Sequence, residues 1–244
     1  MGFTIGGSRG IRDIRSARPG SRRRGRAAER AVTAVAEYTG LWGWAVMPGA
    51  GTPPAAPSGT PSGGCSCGDG GAKCPAPGVH PLPFAAEIPA GATLDEVGEA
   101  WSGVAGAAVL LPVGRSFDVL DVAAGAGRRA LVRMERMGLP LGPVTATPDG
   151  RCQFFVAPGA ASALPELLYR MGWDDADLDL HCPGPGEYIA APPSEFAGLG
   201  PVDWLRPPSL DTAAAPPEAR LLLGTLAYIC HRSAARGCAG DPAL

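Results

Sequence analysis

The sequence predicts an α+β fold, because signals for strands and helices are interleaved without the strict alternation that a parallel β–α–β sheet requires. Three features support this prediction: a helix with a capping box, two apolar strands that follow it, and a hairpin signal further along the chain. Apolar residues make up 45% of the 244 positions and charged residues 18%, so the chain can bury a sizeable core. The 36 glycines and 27 prolines predict many turns and long loops.

The N-terminal part of the chain contains two helix signals separated by a long loop. Ala27–Tyr38 has a helical composition and precedes Gly40, which predicts a helix that ends there. The segment Trp44–Met47 predicts a short strand that stops at Pro48, and residues 49–64, rich in Gly, Pro and Ser, predict a flexible loop. Thr93-Leu94-Asp95-Glu96 is a capping box, which predicts a helix over about 94–101.

The C-terminal part of the chain alternates between short strands and helices. A fully apolar run favours a buried strand, and apolar residues spaced three to four apart favour a helix. Pro148-Asp149-Gly150 is a turn signal, which predicts that the segments on either side of it form a hairpin. In order, the predicted elements are strands at 107–113 and 117–122, a helix at 128–137, hairpin strands at 144–147 and 153–156, a helix at 164–171, strands at 178–180 and 188–191, and a helix at 219–236.

Positive charge is concentrated at the N-terminus. Residues 1–30 contain nine arginines against Asp13 and Glu29, although the whole chain has a net charge of −2. A basic arm on an acidic body is typical of nucleic-acid-binding proteins. We therefore predict a disordered arm over residues 1–26 that contacts nucleic acid; the alternative is a solvated tail without a partner. The predicted contacts are Arg22, Arg23, Arg24 and Arg26.

A cluster of cysteines and one histidine predicts a structural zinc site. Cys65, Cys67, Cys74 and His80 supply three thiolates and an imidazole within 16 residues, as tetrahedral zinc requires. The loop is rich in glycine and proline and has too little core to fold without such a staple. The alternative is free cysteines in a flexible loop.

We expect a cytoplasmic protein, because the sequence has no apolar run of transmembrane length and no secretory signal, and a reducing compartment favours metal binding over disulfides.

Carboxylates on two predicted strands are candidates for metal-dependent chemistry. Two-metal phosphoryl or nucleotidyl transfer needs carboxylates that converge on ions about 4 Å apart. Asp118 and Asp121 are three residues apart and so lie on opposite faces of a regular strand. Asp121 and Asp179 remain as candidates, with His181 on the face of Asp179. Taken alone, a carboxylate at the end of a strand is more often a surface or turn-capping residue.

Six short segments between Gly43 and Ser194 follow one another in a recognisable order. Each is given with the pattern that it resembles: Gly43–Pro48 (GW-x-V-x-P), Cys65–Pro81 (C-x-C…C…P-G-K-H-P), the helix Thr93–Trp101 with its tryptophan, Ser116–Val122 (V-x-D-x-D), Thr147–Phe155 (T-P-x-G-G-x-H-x-x-F), and Asp179–His181 with Tyr188–Ser194 (D-x-R…Y-x-x-x-P-P-S). In this order they resemble the catalytic domain of the bifunctional DNA primase/polymerase (prim-pol) family.

The resemblance implies a primase/polymerase-like two-layer sandwich with a ferredoxin-like mixed sheet and a small zinc-stapled loop. It implies DNA-templated nucleotidyl transfer with Mg²⁺ or Mn²⁺, with Asp121 and Asp179 as the first and third catalytic carboxylates. The second carboxylate is replaced by Ala123, and the nucleotide-contacting histidine is replaced by Gln153. The loss of a carboxylate removes charge that would hold the metals, and Gln153 can donate a hydrogen bond to a phosphate but has no positive charge. We therefore expect the activity to be weak or lost.

These predictions divide the chain into a basic arm (1–26), a prim-pol-like domain (27–215) with the zinc loop (65–80) inserted, and a C-terminal helix and tail (216–244). Three hypotheses about function follow. The protein is a weak primase/polymerase, a non-catalytic regulator that binds nucleic acid, nucleotide or a protein partner, or an unrelated zinc-stapled structural domain. Single-stranded template DNA and nucleotides are the predicted ligands. The sequence has no G-x-x-x-x-G-K-[ST] motif, so we expect unwinding to need a replication protein that acts in trans.

Overall fold

The structure is a computed structural model that describes residues 19–51, 80–104, 106–196 and 199–238. Its helices are α1 (Pro19–Ala36), α2 (Leu94–Ser102), α3 (Ala124–Arg136), α4 (Ala160–Arg170), α5 (Leu210–Ala214) and α6 (Ala219–Cys238), and a π-helical turn, Glu37–Leu41, follows α1. Its strands are β1 (Met47–Gly49), β2 (Ala108–Pro112), β3 (Asp118–Ala123), β4 (Val144–Ala146), β5 (Arg151–Val156), β6 (Leu180–His181), β7 (Tyr188–Ala191), β8 (Glu195–Phe196), β9 (Gly200–Pro201) and β10 (Asp203–Arg206).

The strands form two main sheets, which confirms the α+β class. The larger sheet has the order β10-β4-β5-β3-β6 and the smaller has the order β1-β2-β7, and β8 and β9 form a separate pair. Every pairing among the described strands is antiparallel, so the parallel pairs of the expected mixed sheet are not found among them. In the larger sheet β3 and β5 pair in continuous register from Asp118 opposite Val156 to Ala123 opposite Arg151.

Two cores lie on the two faces of the larger sheet, because alternate residues of each strand point to opposite faces. An aromatic core packs between this sheet, the smaller sheet, α1 and α2, and it includes Tyr38, Trp44, Phe117 and Phe155. The rings of Phe117 and Phe155 are 4.5 Å apart, and both lie beside Trp44. The second, aliphatic core packs the other face against α3, α4 and α6. The described part of the chain therefore has three layers, where two were expected.

Most elements form where the local pattern places them. The predicted capping box is present, since the Thr93 hydroxyl accepts the Glu96 amide at 3.3 Å and the Glu96 carboxylate accepts the Thr93 amide at 2.8 Å. The predicted apolar strand is β2, and all five of its residues are buried. The hairpin prediction is also confirmed, because β4 and β5 pair directly on either side of the turn at Pro148–Gly150.

Both ends of the chain differ from the predicted domain boundaries. The first helix begins at Pro19, so residues 19–26, expected in a disordered arm, are helical; residues 1–18 lie outside the described part of the structure. At the other end, the sequence treats residues 216–244 as an appended helix and tail. In the structure Leu222 and Leu226 of α6 are fully buried in the aliphatic core, so α6 belongs to the domain. None of the described helices is both long and apolar enough to cross a membrane.

Candidate active site

The candidate site lies near the C-terminal end of β3 and extends across four strands of the larger sheet. The cross-strand register places His181 of β6, Asp121 of β3, Gln153 of β5 and Thr145 of β4 in one row across the sheet. Directly paired residues of an antiparallel sheet point to the same face, so these four side chains are neighbours. They lie on the same face of the larger sheet as Val119 and Phe155, next to the aromatic core. The side chain of Asp121 is only 5% exposed.

Arg151, the first residue of β5, joins the two predicted carboxylates. Its Nε donates to Asp121 Oδ1 at 2.6 Å, and its Nη1 donates to Asp179 Oδ1 at 2.6 Å. Asp121 is buried, whereas the Asp179 side chain is 59% exposed. The structure therefore brings the two candidate carboxylates, Asp121 and Asp179, together around the guanidinium of a third residue.

A chain of hydrogen bonds continues from Asp121 along the row. Gln153 Nε2 donates to Asp121 Oδ2 at 2.9 Å, and Thr145 Oγ1 donates to Gln153 Oε1 at 3.1 Å. Thr145 is fully buried and Gln153 is nearly so. From the sequence, Gln153 is predicted to donate a hydrogen bond to a phosphate. In the structure both ends of its amide are used within the site, and both oxygens of Asp121 accept a hydrogen bond.

Ala123 explains why Arg151 can reach these carboxylates. The two residues are directly opposite each other in the β3–β5 register. Opposed Cβ atoms are roughly 5 Å apart in such pairs. Because Ala123 has only a methyl group, the Arg151 side chain can cross this position and extend along β3 to Asp121. The position at which the family pattern has its second carboxylate is thus directly opposite the residue whose guanidinium contacts Asp121 and Asp179.

The electrostatics of the site favour a permanently charged arginine. Burial alone would lower the pKa of the Arg151 guanidinium, but its hydrogen bonds to Asp179 and Asp121 outweigh that effect and raise the pKa above its ordinary value. An arginine side chain cannot lose its proton in a protein. The guanidinium therefore cancels part of the negative charge of the two carboxylates at every accessible pH at which they are ionised.

The described residues do not fit the pair of divalent cations that the family resemblance implies. Such cations need converging carboxylates, but the place of the second carboxylate is taken by Ala123, and a guanidinium lies between the remaining two. Within the described ranges no group of three or more His, Cys, Asp or Glu side chains is arranged to hold a metal ion. His181 is 61% exposed, with Nδ1 3.9 Å from Asp121 Oδ1.

Asp118 lies on the opposite face of β3, as its spacing from Asp121 predicts. It is 1% exposed, and its Oδ2 accepts the backbone amide of Ala161 at the start of α4 at 3.1 Å. The β3–β5 register is continuous through Asp118, so no bulge rotates it toward Asp121. Asp118 thus caps α4 and does not contribute to the candidate site.

The remaining predicted residues are mostly outside the described structure. This applies to Cys65, Cys67 and Cys74 of the predicted zinc site and to the positions of the Arg22, Arg23 and Arg24 side chains. His80 is described, and its Nδ1 lies 3.1 Å from the carbonyl oxygen of Pro81. Arg26 is exposed on α1. The zinc ligand set and the nucleic-acid contacts of the arm are therefore not tested by the structure, and both stay predictions.

Sequence reasoning missed Arg151, the residue that most changes the site. A signal was present, because the hairpin pattern T-P-x-G-G-x-H-x-x-F has glycine where this chain has Arg151.

The serine of the matched P-P-S segment, Ser194, has a structural role. Ser194 Oγ accepts the Val109 amide at 2.8 Å and donates to the Val109 carbonyl at 3.1 Å, which joins the segment to β2.

The described part of the chain is thus an α+β domain in which the guanidinium of Arg151 holds two carboxylates together, one from β3 and one from the residue before β6. Comparison with protein families identifies its family. The model for the N-terminal domain of bifunctional DNA primase/polymerase matches residues 35–219, about three quarters of the chain, and the chain therefore belongs to this family. No curated protein and no solved structure matched in the other two comparisons.

Proposed function

We propose that this prim-pol protein binds nucleic acid and nucleotide but supports little or no metal-dependent nucleotidyl transfer. Family membership supports the binding of DNA and nucleotides in general. The loss of catalysis rests on one observation, the Arg151 guanidinium that bridges Asp121 and Asp179. The proposed role is that of a regulator or accessory factor and not that of a working polymerase.

The guanidinium supports this proposal because it competes with a divalent cation for the same oxygens. One oxygen of each carboxylate accepts a hydrogen bond from Arg151 at 2.6 Å, and such short contacts between charged groups are strong charge-assisted hydrogen bonds. A cation that entered between them would lie next to the positive charge and would need Arg151 to leave. The guanidinium has no coordinated water and no open coordination position, so it cannot activate a nucleophile as a catalytic metal does.

A residual polymerase activity is the second candidate function. It is favoured by the fact that Asp121 and Asp179 lie close enough to pair with the same guanidinium, that of Arg151. If Arg151 turned outward, one Mg²⁺ that keeps most of its waters could bind between the two carboxylates. The two candidates differ in a single measurable property, which is Asp121-dependent incorporation of nucleotides.

The test is primer synthesis and primer extension on single-stranded DNA with Mg²⁺ or Mn²⁺. We expect little or no product from the natural chain. We expect the same from a double variant, Ala123→Asp with Gln153→His, because Arg151 would then pair with the new carboxylate. A triple variant that adds Arg151→Gly restores the pattern of the hairpin and of the catalytic strand, and we expect it to gain activity.

Asp121→Asn in the triple variant is the matched control, since it removes the first carboxylate while leaving the three restored positions. It should abolish any gain. Binding of Mn²⁺, followed by its electron paramagnetic resonance signal, gives a second readout that does not need turnover. Robust incorporation by the natural chain that disappears with Asp121→Asn would show that the proposal is wrong.

Several finer properties are part of the same proposal. Single-stranded template DNA as the ligand, a role in DNA replication with a replication protein acting in trans, and a cytoplasmic location are consistent with the sequence. A structural zinc bound by Cys65, Cys67, Cys74 and His80 would order the loop that precedes residue 80. The basic arm around Arg22–Arg26 would add sequence-independent contacts to phosphates.

A further inference from the structure

We propose that α3 and α6 form a second surface for nucleic-acid phosphates, on the side of the large sheet opposite the candidate active site. This surface, the arginine face, consists of Arg129 and Arg133 of α3 and Arg232 and Tyr228 of α6. The proposal rests on the nucleic-acid binding proposed above and adds the place of contact. It follows from how these side chains are held and from the absence of ion pairs between them and the acidic residues that the structure describes.

Each arginine of the face is positioned by a neutral group. The guanidinium carbons of Arg133 and Arg232 lie 5.7 and 5.8 Å from the centre of the Tyr228 ring, within cation–π range. Arg232 Nη1 also donates to the Tyr228 hydroxyl at 3.1 Å, and Arg129 Nη2 donates to Ser233 Oγ at 2.6 Å. A ring or a hydroxyl orients a guanidinium without cancelling its charge. Because a guanidinium has five N–H donors, most of them do not contact the ring or the hydroxyl.

The three arginines of this face form no ion pair with the acidic residues that the structure describes. Arg115, Arg170 and Arg220 each pair with a carboxylate on the protein surface. Arg129, Arg133 and Arg232 form no such ion pair with any residue that the structure describes. Residues 219–238 contain no Asp or Glu, and the one acidic residue of α3, Glu135, pairs with Arg206.

The arginine face and the candidate site lie on opposite sides of the larger sheet. Both helices pack on the sheet face of Leu120 and Val122, whereas Asp121 and Arg151 lie on the other face. Arg129 and Arg133 are one helical turn apart, about 6 Å along the axis, so they are in line with one another beside Arg232. An exposed row of guanidinium groups that form no ion pair with the described residues is suited to the repeating charges of a nucleic-acid backbone.

The experiment measures binding of the full-length protein to a fluorescently labelled single-stranded oligonucleotide by anisotropy, over a series of salt concentrations. One variant combines Arg129→Gln, Arg133→Gln and Arg232→Gln. The matched control combines Arg115→Gln, Arg170→Gln and Arg220→Gln, which removes the same charge from exposed arginines that already pair with carboxylates. A third variant replaces Arg22, Arg23, Arg24 and Arg26 with glutamine to measure the arm separately.

We expect the arginine-face variant to bind at least about tenfold more weakly at low salt. Its plot of log affinity against log salt should be shallower by about 2, because each phosphate contact on a single strand contributes about 0.7 to the slope. The control should stay within about twofold of the natural chain. Replacing the same three residues with lysine keeps the charge and should preserve most of the affinity, which separates lost charge from lost folding.

Three outcomes would overturn the inference. If the arginine-face variant binds with the natural affinity and slope, the face does not contact nucleic acid, and the contact belongs elsewhere, for example to the arm. If the control loses as much as the arginine-face variant, the effect is one of overall charge only. If the natural chain does not bind the oligonucleotide at all, the proposed nucleic-acid binding fails together with this inference.

Discussion

Replacing Arg151 with methionine should destabilise the protein by about 3 kcal/mol, because it leaves the buried carboxylate of Asp121 without its cationic partner. The Asp121 side chain is 5% exposed and that of Arg151 is 28% exposed, so the pair is shielded from water but not completely. Removing one member of a buried ion pair typically costs about 3–5 kcal/mol. We take the lower end, since Asp121 would keep its hydrogen bond from Gln153 and Arg151 is partly solvated. For a chain of this size the change corresponds to a melting temperature lower by about 6–12 °C.

The assay is urea unfolding of four proteins: the natural chain, Arg151→Met, Asp121→Asn and the double variant. If the two side chains stabilise each other, the double variant should lose little more than the larger single loss, and the coupling energy should exceed about 1.5 kcal/mol. Asp179→Asn is the control, because its contact with the same guanidinium is exposed and should contribute less than about 1 kcal/mol. Losses that add to within about 0.5 kcal/mol would refute the reasoning, since they would show that Arg151 and Asp121 do not interact in solution.

Three further predictions concern other parts of the chain. Elemental analysis should find about one zinc per chain, and replacing Cys65, Cys67 or Cys74 with serine should remove it; metal-free, well-folded protein would contradict the ligand set. Ser194→Ala should lower the free energy of unfolding by about 1–3 kcal/mol, because it removes the hydroxyl that accepts from the buried Val109 amide and donates to the Val109 carbonyl, and a loss below about 0.5 kcal/mol would contradict this role. Burial raises the pKa of the Cys152 and Cys182 thiols to about 12, so their neutral forms are favoured in the folded chain. Unfolded thiols ionise from about pH 8.5, so this stabilisation should be complete below that pH and should decline as the pH rises toward about 12. Urea midpoints at about pH 8 and about pH 10 would measure the decline, and a Cys152→Ala variant should show a smaller one.

Much of the fold was predictable because its signals are local. The capping box at Thr93, the buried strand that became β2 and the turn at Pro148–Gly150 each depend on residues within one turn or one strand. The separation of Asp118 from Asp121 was predictable for the same reason, since the faces of a strand alternate regardless of what packs on them. Family membership was also predictable, because it rests on the order of short motifs, and the family match over residues 35–219 confirms it.

Two parts of the fold were missed because they depend on distant partners. Residues 216–244 have no local feature that distinguishes an appended helix from a core helix, and only the packing of Leu222 and Leu226 against the sheet makes α6 part of the domain. The arginine face arises in the same way. Arg133 and Tyr228 are far apart in the sequence and meet only because α3 and α6 lie side by side on one face of the sheet.

The sequence alone determined the family and the α+β class, and it singled out Asp121 and Asp179 as candidate carboxylates. Its resemblance to the family also predicted that the catalytic set is incomplete at Ala123 and Gln153. Only the tertiary structure decided what fills the gap, because the neighbours of a strand residue depend on cross-strand register and not on sequence distance. That register places Arg151 opposite Ala123, where a methyl group leaves room for a guanidinium to reach Asp121 and Asp179.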